Sequence, residues 1–103
     1  MNNELRSLKE IQAYIKKVHA ERGFDDEDIK SKMMLLTEEL GELARAVRKH
    51  VGVKMSDETK RANLEEEVAD VFIMLLDLCN KLGIDLHQAF LSKEEKNSNR
   101  TWK

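Results

Sequence analysis

The sequence predicts an all-α fold, an antiparallel four-helix bundle-like subunit that assembles into a homo-oligomer. Apolar residues recur at helical spacing in four segments, and no strand-type alternation interrupts them. The 103 residues include no proline, and 41% hydrophobic with 37% charged residues suits narrow apolar stripes on charged helices. The run from Val71 to Cys79 is apolar almost all round a helix. A single small bundle cannot easily bury that much helix, so a homo-dimer or tetramer is expected.

The elements follow in order. The first helix is expected from about Glu4 to His19, carried by Leu5, Leu8, Ile11, Ile15 and Val18. "ERGFDDED" breaks it, with Gly23 as end cap and Asp25 or Asp26 as cap of the next helix. The second helix runs from about Glu27 to His50, with Ile29, Met33, Leu36, Leu40, Leu43 and Val47 as its core stripe. Ser56 or Asp57 opens a third that lasts to about Lys81, with a stripe of Leu64, Val68, Val71, Leu75, Leu78 and Leu82. Gly83 stops it, and Asp85-x-x-Gln88 reads as a capping box for a short fourth helix. The whole chain, 1–103, reads as one domain with a basic polar tail from about residue 92.

Bulk properties narrow the function classes. The net charge of -2 and pI near 5.9 provide no basic surplus, so no nucleic-acid partner is expected. The longest nearly apolar run is too short to span a bilayer, and the first twenty residues lack a signal-type core. Cys79 is the one cysteine, which fits a reducing cytoplasm and a small hydrophobe in the core.

The carboxylates are less ordinary. On a wheel of about 100° per residue, Glu39 and Glu42 lie roughly 60° apart on a flank shared with Leu35 and Ala46, while Glu38, Arg45, Arg48 and Lys49 face water. In the third helix Glu67 borders the apolar stripe, and Asp70 follows one turn on. Acids gathered in a low-dielectric interior repel one another and take up protons unless a cation neutralises them. Two E-x-x-[ED] pairs on facing helices would hold Mg²⁺, or Mn²⁺ in its place, through oxygen ligands; the cluster contains no histidine to favour zinc.

"EELGE" (38–42), followed after 24 residues by "EVAD" (67–70), resembles the E-E-x-x-E…E-x-x-D signature of the MazG-like nucleotide pyrophosphohydrolases. The "LGIDLHQAF…K…KN..R" segment (82–100) is similar to that family's usual ending, and the likeness covers about 30 to 102. It implies an all-α homo-oligomer that hydrolyses nucleoside triphosphates to the monophosphate and pyrophosphate with Mg²⁺, as a nucleotide-pool house-cleaning enzyme. Glu39, Glu42, Glu67 and Asp70 match the metal ligands. Glu38 matches the family's first glutamate and, with Glu39, is a candidate to activate the attacking water. Lys93, Asn97 and Arg100 match positions that contact phosphate or sugar.

Other residues are weighed beside these. Lys32 lies two turns before Glu39, where it either reaches a phosphate or sits in solvent. Asp77, inside an apolar run, needs a partner and is either catalytic or salt-bridged. His19, His50 and His87 read as surface or capping groups. Phe24 and Trp102 are candidate stacking surfaces for a base. Two competing readings stand. A phosphoribosyl-ATP pyrophosphohydrolase shares the scaffold but carries a Tyr-His pair where this chain has "VFIMLL" after Asp70. A non-enzymatic helical interaction module would tolerate alanine at Glu39 or Asp70.

Overall fold

The structure is a computed structural model that describes residues 5–52 and 57–100. Helix α1 (Leu8–Glu21) starts at Ser7, whose hydroxyl accepts the Glu10 amide at 3.1 Å, so one orphan donor of the first turn is satisfied. It ends before Gly23, whose φ of +79° is left-handed backbone that glycine adopts without Cβ strain. Helix α2 (Ile29–Gly52) begins behind Asp28 rather than Asp25 or Asp26. The Asp28 carboxylate accepts the Ser31 amide at 2.7 Å, and that bond holds its pKa below the usual range. Helix α3 (Asp57–Leu82) ends at Gly83, with φ +72°. Asp85 then accepts the Gln88 amide at 3.2 Å and caps α4 (Leu86–Ser98), longer than expected. Ser56, Trp102 and the start proposed at Glu4 lie outside the described residues. Among the described residues the chain is all helix, with four helices and no strand.

The α2–α3 hairpin is the backbone of the fold, with α1 laid on α3 and α4 on α1. A polar clamp fixes α1 to the α3–α4 turn. The Gln12 amide donates to Asn80 Oδ1 at 3.0 Å and to the Ile84 carbonyl at 2.7 Å, and Gln12 Oε1 accepts the Leu86 amide at 3.1 Å. A buried ion cluster ties three helices together. Asp77 accepts from Lys32 Nζ at 2.7 Å and pairs with His19 Nδ1 at 2.9 Å, while Lys32 also donates to the Phe24 carbonyl at 2.9 Å.

The core is small. Ile15, Leu36, Leu76, Leu78 and Cys79 are buried, and of these only Leu76 is completely enclosed. The expected stripes are therefore corrected. Ile29, Met33, Leu40 and Val47 of α2, with Val68, Leu75 and Leu82 of α3, stay substantially exposed. Two helices cover only one face of each other, and α2 and α3 use the face that carries the acids. The radius of gyration of 16.4 Å exceeds the roughly 13 Å of a compact domain of this length, as an open arrangement requires.

Candidate functional site

The hairpin register builds the site. Residue 32 meets 77 across the antiparallel seam, and the same offset sets 39 opposite 70 and 42 opposite 67. The sequence motif is thus a motif of the seam: one-turn spacing on each helix places two acids per helix where the helices meet.

Glu39, Glu67 and Asp70 each offer one carboxylate oxygen, and these oxygens all lie within 4.8 Å of one another. Glu39 and Glu67 are half-buried, and Asp70 is exposed at the rim. Oε2 of Glu39 and Oε2 of Glu67 are buried without a hydrogen-bond partner. A buried, unpaired carboxylate oxygen is costly, and no nearby protein donor relieves this one. Burial is the first cause that pushes the pKa of Glu39 up, followed by the charges of Glu42 and Asp70. Glu67 is raised in the same way, by burial first and then by Glu42 and Asp70. Glu42, although exposed, acts on both and belongs to the cluster.

The donor set fits a hard divalent cation. Octahedral coordination at 2.0–2.1 Å puts ligand oxygens about 3 to 4 Å apart, so the observed cluster needs little closure. The two orphaned oxygens are what such an ion would satisfy.

The remaining sequence-predicted residues are not gathered here. Glu38 is exposed on the solvent side of α2, as the wheel predicts. Lys32 is only 3% exposed and holds Asp77, so its ammonium is a structural cation; the expectation of a solvated or phosphate-reaching lysine is replaced by a buried ion pair. Asp77 is likewise salt-bridged rather than free. His19, read as a surface or capping group, is buried at the same junction, with its ring edge-on to Phe24 at 5.6 Å. Lys93, Asn97 and Arg100 lie on or just after α4, which packs against α1 rather than along the α2–α3 seam. Cys79 is buried, as expected, and burial pushes its thiol pKa up, away from nucleophilic use. No described helix is long and apolar enough to cross a membrane.

Comparison with known proteins agrees with this geometry. The family model described as the MazG nucleotide pyrophosphohydrolase domain matches residues 27–102. The chain is 36% identical over 85 residues to YpjD of Bacillus subtilis strain 168, described as an uncharacterized protein; the match spans 82% of this chain and 77% of that one. The crystal structure of YpjD from Bacillus subtilis, described there as a candidate pyrophosphatase, superposes with a TM-score of 0.77 at 32% identity, over 95% of this chain and 99% of that one. The acid-lined hairpin and the family match over the same residues lead to one conclusion: the chain belongs to the MazG nucleotide pyrophosphohydrolase family.

Proposed function

We propose that the protein hydrolyses nucleoside triphosphates, canonical or modified, to the nucleoside monophosphate and pyrophosphate, with Mg²⁺ as cofactor and Mn²⁺ as a substitute. The observation that carries this reading is the pair of partnerless buried oxygens on Glu39 and Glu67, facing each other from two helices beside Asp70. Glu39, Glu67 and Asp70 would hold the cation, with Glu42 closing the set. When bound, the ion supplies neutralisation of the phosphate charge, which phosphoryl transfer requires more than a protein nucleophile.

In the reaction a water oxygen bonds to phosphorus while the bond between the α- and β-phosphates breaks, and pyrophosphate carries away the electron pair. The water proton passes to a carboxylate. Glu39, through the carboxylate oxygen that does not hold the ion, and Glu38, one residue before it on the exposed side of α2, are the acceptors that the resemblance implies. Lys93, Asn97 and Arg100 would contact phosphate or sugar from another copy of the chain, and Trp102 would stack on the base. The exposed apolar residues of α2 and α3 support a homo-dimer or tetramer.

The direct experiment measures pyrophosphate release from a panel of canonical and modified triphosphates, with Mg²⁺ and with EDTA. Release that needs Mg²⁺ and falls in Glu39→Gln/Asp70→Asn by more than the roughly 10–100-fold lost with supporting groups around a metal is expected. Absence of release from every triphosphate by the folded wild type rejects the reading.

A further inference from the structure

Past the carboxylates the α2–α3 seam opens into a cavity of about 230 Å³. Glu42 and Glu67 form the wall it shares with the acidic cluster, and Arg45, Lys49, Lys60 and Asn63 line it beyond them. The seam register continues through it: 49 sits opposite 60, as 42 sits opposite 67. Arg45 and Lys49 lie on the wet side of the α2 wheel, yet both line this cavity. Among the described residues none of Arg45, Lys49 and Lys60 makes an ion pair. Other basic groups are committed: Lys32 to Asp77 and Arg61 to Glu65.

The charge pattern changes character when the acids are occupied. With the carboxylates bare, Glu42 and Glu67 offset the nearby cations. A divalent ion on the carboxylates would leave a pocket with three cationic side chains, the Asn63 amide and the His50 imidazole, a donor set that suits a polyanion. Arg45 and Lys49 lie about 4.5 and 10.5 Å beyond Glu42 along the α2 axis, so a phosphate chain that starts at the acids runs past both.

We infer that this cavity seats the pyrophosphate half of the substrate, with Arg45, Lys49 and Lys60 holding the β- and γ-phosphates. The inference rests on the nucleotide reading above and adds a direction to it. The triphosphate points toward the C-terminal end of α2, and the nucleoside points toward the Lys32–Asp77 end. Arg45 provides a planar fork for two phosphate oxygens, and the lysines act as point charges.

The test uses full-length protein with Mg²⁺. Binding of inorganic pyrophosphate is measured by calorimetry, beside steady-state kinetics on whichever triphosphate the wild type hydrolyses fastest. The variants are Lys49→Ser/Lys60→Ser, its conservative counterpart Lys49→Arg/Lys60→Arg, and Arg48→Ser, which removes a neighbouring charge outside the cavity. The serine pair is expected to weaken pyrophosphate binding by about tenfold or more. Its KM rises in step while kcat changes by less than about threefold, because uniform binding is lost. The arginine pair retains affinity, and Arg48→Ser resembles wild type. Unchanged pyrophosphate affinity in the serine pair, with hydrolysis intact, overturns the inference and leaves the enzyme reading standing. An equal loss in Arg48→Ser overturns it as well, since bulk charge then explains the effect. Pyrophosphate binding that depends on the lysines in a wild type that cleaves no triphosphate keeps the seat and sinks the enzyme reading.

Discussion

Removing Asp77 should destabilise the protein more than removing any exposed acid. Asp77, Lys32 and His19 are 6%, 3% and 6% exposed, and Asp77 accepts from both partners at 2.7 and 2.9 Å. In Asp77→Ala the Lys32 ammonium keeps only the Phe24 carbonyl, and its charge is left buried without a counter-ion. Breaking one side of such a pair costs about 3–5 kcal/mol, whereas replacing both partners with apolar groups is often neutral or better. Lys32→Met/Asp77→Leu should therefore recover most of what Asp77→Ala loses. Urea unfolding followed by far-UV circular dichroism, at one protein concentration so that assembly is held constant, reads both effects. With a slope of about 2 kcal/mol per molar, the single variant shifts the midpoint down by about 2 M. A shift below about 0.5 M in Asp77→Ala, or a double variant as weak as the single one, would refute the claim that the pair is a buried charge cluster.

Two further outcomes follow from the acids and the apolar face. The raised values at Glu39 and Glu67 mean that the folded protein binds protons more tightly than the unfolded chain. Without divalent cation its stability should therefore fall as pH rises from the ordinary value of 4.5 through the raised folded values, and Glu39→Gln/Glu67→Gln should flatten that slope. Saturating Mg²⁺ should reverse the trend, adding about 2.7 kcal/mol at a hundred times its Kd, and pH-dependent thermal melts with and without Mg²⁺ measure it. Separately, Val68 and Phe72 line an open apolar groove of about 660 Å³ with Leu43, Val47 and Leu64. If the proposed homo-oligomer closes over this groove, Val68→Glu/Phe72→Glu shifts light-scattering mass toward the 12.0 kDa of one chain; an unchanged mass rejects the groove as a subunit contact.

Helix number and the glycine stops were readable because they depend on local signals, while the start of α2 behind Asp28 and the length of α4 were not. Gly23 and Gly83 stop their helices by backbone freedom alone, and Asp85 caps the next one. The acidic site was readable because Glu39–Glu42 and Glu67–Asp70 repeat one-turn spacing beside apolar neighbours. Which apolar face turns inward was not, since periodicity reports that a face is apolar and says nothing of what covers it. Met33, Leu40 and Val68 have the pattern of a core and remain exposed on the chain. Gln12 went unassigned, and His19 and Lys32 were misplaced at the surface or on a phosphate, for the opposite reason, because their partners lie far away in sequence. A signal was present all the same. Each is a polar residue set into an apolar stripe, Gln12 and His19 flanking Ile15 and Lys32 between Ile29 and Leu36. Such a position calls for a buried partner.

The acids of the site all come from one helical hairpin, between residues 39 and 70. Their assembly therefore needs only the closure of neighbouring segments, the kind of local contact that forms early when a helical chain folds. The same contiguity makes the acidic cluster portable: a single stretch of coding sequence carries all of its carboxylates, so duplication or transfer moves them in register.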